Sequence, residues 1–141
     1  SGLPVGAIAA RERASVFGAG EHGSTFGGNP VTCAAAYATV SYIIENNLPA
    51  HAADMGRLFC QGLDSLVQHY DIVSSHRGMG LLQALQFEKD IADELVLKCL
   101  NNGLLINRLK PNAIRIMPSL IITQEEVEKG LGLLEKSIKG F

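Results

Sequence analysis

The chain has 141 residues, 47% of them hydrophobic, and its 12 Lys and Arg against 14 Asp and Glu give a formal net charge of -2. The basic residues form no run or stripe that would neutralise a phosphate backbone, so nucleic acid is not an expected partner. No segment approaches the roughly 18 uninterrupted apolar residues of a membrane span, so we expect no membrane partner and expect the apolar surplus to be buried in the fold or against another protein.

Cys33, Cys60 and Cys99 are odd in number and widely separated, and no two of them form a CxxC pair. This pattern favours neither a disulfide framework nor a zinc site, and it fits the reducing cytoplasm best. The opening residues SGLPVGAIAA lack the features of a signal peptide, and we interpret the chain as cut from a longer protein.

The first 47 residues are rich in glycine and apolar residues. Short apolar stretches at 3–10 and 14–17 predict strands or strand ends. Asn29 is a plausible N-cap and Pro30 a favourable first helical residue, which predicts a helix through Asn46. Apolar side chains surround this helix on nearly every side, so we expect an interior or interface helix.

The remainder reads as a self-sufficient α+β unit. A helix with one apolar face is predicted from Pro49 to Tyr70, because its apolar residues recur three and four apart. Residues 71–87, DIVSSHRGMGLLQALQF, predict two strands around Gly78 and Gly80. In the second of them, one face carries Leu81, Leu85 and Phe87.

Three further elements are predicted after this hairpin. Asp90 is expected to cap a helix that ends at Asn102 and Gly103. LLIN and AIRIM are expected to pair across the KPNA turn. Thr123 and Glu126 form a capping-box pattern before a last helix, whose inner face should comprise Val127, Leu131, Leu134 and Ile138. The change in character near Asn47 predicts two domains, residues 1–47 and 48–141.

The most informative loop is residues 21–30, EHGSTFGGNP. Residues 18–23, GAGEHG, match the dinucleotide fingerprint GxGxxG, but that fingerprint needs a helix that opens inside the motif, whereas here the helix is postponed to Pro30. A GxSxG nucleophile elbow is disfavoured because Thr25 stands where its serine should be. The four histidines have no metal-binding spacing, so no metal site is predicted.

Anion binding remains, because glycine backbone can aim N–H groups at a phosphate while Ser24 and Thr25 add hydroxyl donors. The alternative is a turn that is rich in glycine only because its backbone needs positive φ. The residues alone leave both interpretations open.

Arg115 is the second candidate site residue. It lies between Ile114 and Ile116 on a predicted strand, where a guanidinium needs a carboxylate partner. That carboxylate could belong to the protein or to a substrate.

Four stretches together resemble a known family. SGLPVGA, HGSTFGGNPVTCAAA, RGMGLLQALQF and IRIMPSLIIT have the order and spacing found in the carboxyl-terminal part of class III pyridoxal-phosphate-dependent aminotransferases, most closely the acetylornithine aminotransferase type. The resemblance covers essentially the whole chain. It implies an α/β fold of type I, in which residues 1–47 end the large cofactor-binding domain and residues 48–141 form the small C-terminal α+β domain.

The resemblance also implies roles for individual residues. Thr25 matches the threonine that binds the phosphate of pyridoxal 5'-phosphate held mainly by the other subunit of a homodimer. Ser24 matches a position beside the amino-acid substrate, and Arg115 matches the arginine that grips the substrate α-carboxylate. Arg77 matches as well, and we interpret it as a turn and packing element.

Transamination needs a lysine that forms a Schiff base with the cofactor, and no lysine of this chain matches that position. The resemblance places it just before Ser1, so no catalytic residue is assigned here and the chain alone is expected to be inactive. The implied enzyme transfers an amino group from N-acetylornithine, or a related ω-amino donor, to 2-oxoglutarate in cytoplasmic arginine biosynthesis. The alternatives are a non-catalytic dimerisation or regulatory module and an unrelated phosphate-binding protein.

Overall fold

The computed structural model describes residues 2–141. The chain divides into two compact units, Ser1–Asn47 and Leu48–Phe141. The division falls at the residue where the sequence changes from glycine-rich and apolar to amphipathic.

The first unit contains no strand among its described residues, so the strands predicted at 3–10 and 14–17 are wrong. These stretches are irregular backbone around a short 3₁₀ helix, Glu12–Ala14. A strand needs a neighbouring chain to accept and donate its ladder hydrogen bonds, and apolar composition alone does not supply one.

Helix α1, Pro30–Glu45, begins as the sequence predicts. The Asn29 side chain accepts hydrogen bonds from the backbone N–H of Val31 and of Thr32, and Pro30 occupies the first turn. None of its residues is buried. Its exposed large apolar side chains are Val31, Tyr37, Val40, Tyr42 and Ile44.

The second unit is a four-stranded antiparallel sheet with three helices. The helices are α2, Leu48–His69, α3, Ala92–Asn101, and α4, Gln124–Ile138. The strands are β1, Val73–Met79, β2, Leu82–Phe87, β3, Asn107–Lys110, and β4, Ala113–Ile116. They lie in the order β1-β2-β4-β3. This arrangement confirms the predicted α+β architecture.

One face of the sheet and the apolar faces of the helices form a single core. Leu63, Leu85, Ile114 and Val127 have no exposed surface, and Phe87 retains only 1%. These residues come from α2, β2, β4 and α4, which confirms the inner faces predicted for α2, β2 and α4. Burial of apolar area is the main stabilising contribution to such a unit.

Two glycines of α2 let this helix approach the β1–β2 turn and α4 closely. A Cβ added to Gly56 of α2 would lie 2.6 Å from Gly80 Cα in the β1–β2 turn. A Cβ added to Gly62 would overlap the Leu131 side chain of α4. Position 56 needs glycine because the overlap there is with backbone, whereas at Gly62 the Leu131 side chain would have to move.

Helix α4 begins with the predicted capping box. The Thr123 side chain accepts a hydrogen bond from the Glu126 N–H, and the Glu126 side chain accepts one from the Thr123 N–H. The hydrogen bond from the Thr123 N–H and that from the Thr123 hydroxyl, both to the Glu126 carboxylate, lower the pKa of Glu126, because they favour its ionised form.

The predicted Asp90 cap is wrong. The residue before α3 is Ile91, which makes no side-chain capping bond. The first N–H of the helix, that of Ala92, instead donates to the Pro111 carbonyl at 2.9 Å. A tertiary contact therefore satisfies a group that the sequence suggested would need a side-chain cap.

The predicted hairpin is present, but its first strand begins at Asn107 rather than at Leu104. Leu104 and Ile106 pack against the core instead of pairing with β4. Burial of these two side chains shifts the strand toward the Pro111–Asn112 turn.

None of the helices described for residues 2–141 has both the length and the apolarity that crossing a membrane requires. Within the same residues, no cluster of three or more His, Cys, Asp or Glu side chains is arranged to hold a metal ion.

Candidate functional site

The loop before α1 presents its backbone to solvent. Ser24 O accepts a hydrogen bond from Gly27 N at 3.3 Å, which closes a turn around Thr25 and Phe26. Gly28 follows with φ of 72°, a left-handed conformation that favours glycine. The turn thus holds Ser24 and Thr25 at its exposed end.

The two hydroxyl groups of this turn are available to a ligand. Among the described residues, neither the Ser24 nor the Thr25 hydroxyl makes a hydrogen bond, and both residues are exposed. A Cβ added to Gly23 or Gly28 would meet no atom within 4 Å, so the flanking backbone is open to a close approach. A phosphate could therefore accept from both hydroxyls and from loop N–H groups.

The start of α1 contributes less than its sequence suggests. Asn29 Oδ1 accepts from Val31 N at 3.0 Å and from Thr32 N at 3.3 Å. Because Asn29 uses these donors, a bound anion would depend on the loop and on the field of the helix dipole rather than on the first free N–H groups.

The structure gives no support to a dinucleotide fingerprint at residues 18–23. The Gly18 N–H donates to the Glu21 carboxylate at 2.6 Å, and the helix begins only at Pro30. A pyrophosphate would meet a carboxylate here instead of a helix N-terminus.

Arg115 lies on β4, as predicted, and points away from the core. Its neighbours Ile114 and Ile116 are buried on the opposite face, whereas Arg115 is half-buried. Its Nε atom is buried and has no hydrogen-bond partner. Among the described residues, no carboxylate forms an ion pair with it. Arg115 was expected to bind a carboxylate either of the protein or of a substrate. The described residues contain no carboxylate that forms this salt bridge.

Arg77 shares the face and the row of Arg115. Arg77 pairs with Ala84 across β1 and β2, and Ala84 pairs with Arg115 across β2 and β4. Residues directly opposite in antiparallel strands project from the same face. The interpretation of Arg77 as a packing element does not describe this position, because its guanidinium is exposed and donates to Gln86 Oε1 at 3.0 Å.

Only half of this row follows from a local pattern. A hairpin whose two-residue turn is Gly80 and Leu81 places residue 77 opposite residue 84, but the further pairing of Ala84 with Arg115 depends on β4 joining β2, which spans a long stretch of chain. Strand order is a tertiary property that local patterns do not reveal.

The two arginines line one open depression of about 540 Å³ on the outer face of the sheet. Its other lining residues are Gly78, Met79, Leu82, Gln83, Ala84 and Leu109. Met79 is 87% exposed and Leu82 is 54% exposed. A carboxylate bound here would meet two cations on a largely apolar surface, where charge-assisted hydrogen bonds are strong.

The predicted site residues fall in both units. Ser24 and Thr25 lie together in the loop of the first, and Arg115 lies on the sheet of the second. All six lysines of the chain belong to the second unit. Lys98 pairs with Glu94 and covers the Phe141 ring, while Lys139 pairs with Glu135. These two lysines therefore have structural partners.

Comparison with known proteins identifies the family. The sequence profile described as "Aminotransferase class-III" matches residues 1–138. The chain therefore belongs to the class III aminotransferases, whose members use pyridoxal 5'-phosphate, and the resemblance read from its motifs is confirmed.

Particular relatives carry a more specific name. The acetylornithine aminotransferase of Caldanaerobacter subterraneus subsp. tengcongensis is 40% identical over 134 residues, which are 95% of this chain and 34% of that protein. That of Methanothermobacter thermautotrophicus is also 40% identical over 134 residues, 94% of this chain and 34% of that protein. The chain spans about a third of the length of these relatives.

Solved structures agree on the fold. The crystal structure of acetylornithine aminotransferase from Elizabethkingia anophelis superposes with a TM-score of 0.82 at 36% identity, over 89% of this chain and 34% of that one. Ornithine δ-aminotransferase from Plasmodium falciparum gives a TM-score of 0.80 at 32% identity, over 88% and 33%. The predicted α/β fold of type I is thereby confirmed for this part of such an enzyme.

Proposed function

We propose that the protein containing this chain is an aminotransferase that moves an amino group from N-acetylornithine, or a related ω-amino donor, to 2-oxoglutarate. The observation that carries the proposal is Arg115, whose half-buried guanidinium has no carboxylate partner among the described residues. Amino-acid donors and 2-oxo acid acceptors both supply an α-carboxylate. The names of the relatives support acetylornithine as the donor.

The cofactor fits the residues present. Thr25 and Ser24 expose hydroxyl groups that pair with nothing else in the described chain, and Gly23 and Gly28 leave the backbone open beside them. We assign Thr25 to the phosphate of pyridoxal 5'-phosphate and Ser24 to the neighbourhood of the substrate. When bound, the cofactor supplies a protonated ring that withdraws electrons from the substrate.

Arg115 would orient the substrate. A guanidinium presents its N–H groups as a planar fork that matches the two oxygens of a carboxylate, so it fixes direction as well as position. The apolar side chains around the depression would lower the local polarity and so strengthen this interaction.

Residues 1–47 are proposed to end the large cofactor-binding domain, and residues 48–141 to form the small domain. Helix α1 exposes apolar side chains along its length, as expected of a helix covered by other protein surface. We propose that this surface of α1 forms part of a homodimer interface. We also propose that the loop with Ser24 and Thr25 contributes to the cofactor site of the neighbouring subunit. The proposed location is the cytoplasm, in arginine biosynthesis.

We also propose that the 141 residues are inactive alone, because none of their lysines matches the position of the cofactor-binding lysine. The alternative is a non-catalytic dimerisation or regulatory module, which the exposed apolar surface of α1 would fit equally well. The isolated chain should give no cofactor absorption band that survives dialysis and no turnover of acetylornithine. Either signal from the isolated chain would overturn its proposed inactivity.

The assay that tests the activity uses the intact natural protein with pyridoxal phosphate. Arg115→Gln should lower kcat/KM for both N-acetylornithine and 2-oxoglutarate by at least ~30-fold, the loss expected when one partner of a desolvated charged pair is removed. Arg57→Gln is the matched control, because Arg57 is exposed and pairs with Asp54 on α2. An intact protein without transaminase activity, or equal rates for the two variants, would contradict the proposed function.

A further inference from the structure

We propose that Arg77 is a second carboxylate-binding residue, which converges with Arg115 on a carboxylate seated over Ala84. This inference rests on the proposed function, since it concerns the same substrate carboxylate. It adds a ligand-binding role to a residue that the sequence analysis interpreted as a turn and packing element.

The register of the sheet brings the two arginines into line. Arg77, Ala84 and Arg115 occupy one row across β1, β2 and β4. Two strand spacings separate the arginines, so their Cα atoms lie roughly 10 Å apart with Ala84 midway. Long side chains on β1 and β4 can both reach a group that sits over β2, the strand between them.

Ala84 leaves space for a ligand between the two arginines. Ala84 has the smallest side chain that can occupy the middle of the row, and it lines the same depression as both arginines. The methyl group therefore forms a low floor, whereas a larger residue would fill the place of the carboxylate.

The positive charges of Arg77 and Arg115 favour an anionic ligand. Neither arginine forms an ion pair with a carboxylate of the described residues. Arg77 donates one N–H to the neutral Gln86 side chain, and its remaining N–H groups are open to a ligand. The buried Arg115 Nε also lacks a partner. Two cations on a largely apolar surface repel each other until an anion lies between them.

Two contacts hold in place the β1–β2 hairpin, which carries Arg77. Gln83 is 2% exposed, and its Nε2 atom donates to the Gly80 carbonyl at 2.8 Å. Gly56 of α2 packs directly on Gly80. The turn that follows Arg77 is thus held from two sides, which fixes the strand from which Arg77 projects.

The test is an NMR titration of the 141-residue chain with sodium acetate at low ionic strength, with sodium chloride as the comparison anion. Backbone signals of Gly78, Ala84 and Arg115 should shift saturably with acetate and much less with chloride. Arg115→Gln should abolish saturation. Arg77→Gln should weaken acetate binding by about tenfold, as expected for loss of one charge-assisted hydrogen-bonding partner.

Two variants keep the test independent of folding defects. Arg77→Lys retains the charge and should recover part of the affinity, whereas Ala84→Leu keeps both arginines and should abolish binding by filling the floor. Arg57→Gln should bind as the unchanged chain does. Circular dichroism of each variant establishes that the sheet is intact.

The outcomes separate this inference from the proposed function. If Arg115→Gln abolishes binding while Arg77→Gln and Ala84→Leu leave the affinity within about twofold, Arg77 is not a ligand-binding residue and the proposed role of Arg115 stands. If Arg115→Gln binds acetate unchanged, the assignment of Arg115 itself fails. Equal binding of acetate and chloride would contradict both.

Discussion

The two units of the chain differ in where their apolar residues lie. No described residue of the first 47 is buried, whereas the second unit buries apolar side chains from α2, β2, β4 and α4 in one core. Apolar composition alone therefore does not show where a residue lies. In the second unit the apolar side chains stabilise the fold, and in the first we propose that they provide surface for contact with other protein.

The largest effect should come from the core of the second unit. Leu63 has no exposed surface, so Leu63→Ala should lower the free energy of unfolding by about 3–4 kcal/mol through lost burial and a cavity. Val40→Ala on α1 is the matched change, and it should cost ~0.5 kcal/mol or less because Val40 is 52% exposed. Urea unfolding followed by circular dichroism measures both. Equal losses would remove the distinction between the two units.

Two glycines compare a packed position with an open one inside the second unit. Gly56→Ala should cost about 1–3 kcal/mol, because its new Cβ would overlap the backbone of Gly80. Gly132→Ala on α4 has open space at its Cβ and should instead stabilise the helix by up to ~1 kcal/mol. The same unfolding measurement decides, and a stabilising Gly56→Ala would mean that α2 does not pack on the turn as described.

The helix caps compare the units directly. Thr123→Ala removes the capping box of α4 and should lower the free energy of unfolding by ~1 kcal/mol. Asn29→Ala removes the equivalent bonds of α1 and should reduce helical ellipticity without moving the main unfolding midpoint, because α1 contributes no residue to the core. A shift of that midpoint by Asn29→Ala would show that the units unfold together.

The smallest effect concerns acid. Hydrogen bonds from Thr123 lower the pKa of Glu126, and the hydrogen bond from the Tyr70 hydroxyl, followed by that from Lys139, lowers the pKa of Glu135. A carboxyl group with a lowered pKa in the folded state stabilises fully above its ordinary pKa of 4.5 and loses that contribution as the pH falls through the folded value.

The urea midpoint should therefore fall between pH 6 and about pH 3. In Glu135→Gln the fall should be smaller, because one of the two responsible groups no longer titrates. Glu88→Gln is the matched control, because Glu88 is exposed and forms no ion pair among the described residues, so the fall should be unchanged. An unchanged slope in Glu135→Gln would assign the acid sensitivity to other groups.

Local patterns predicted most helices because caps and apolar periodicity are local properties. Asn29 with Pro30 and Thr123 with Glu126 both begin helices where expected. The patterns failed where a distant group decided the outcome. Ala92 is satisfied by the Pro111 carbonyl rather than by Asp90, and residues 3–10 lack the neighbouring chain that a strand requires.

The candidate site shows the same division. Ser24 and Thr25 are predicted from a continuous motif, and Arg115 from its position between two isoleucines, which are buried in the structure. Arg77 was placed beside Arg115 only by the strand order β1-β2-β4, because their positions in the chain lie far apart. Contacts between remote segments depend on the packing of the whole unit.

The most direct measurement is a crystal structure of the intact natural protein with pyridoxal 5'-phosphate. We expect the Thr25 hydroxyl to lie within hydrogen-bonding distance of a phosphate oxygen and the Arg115 guanidinium to face the substrate position. A structure in which the loop around Thr25 lies away from the cofactor in every subunit would contradict it.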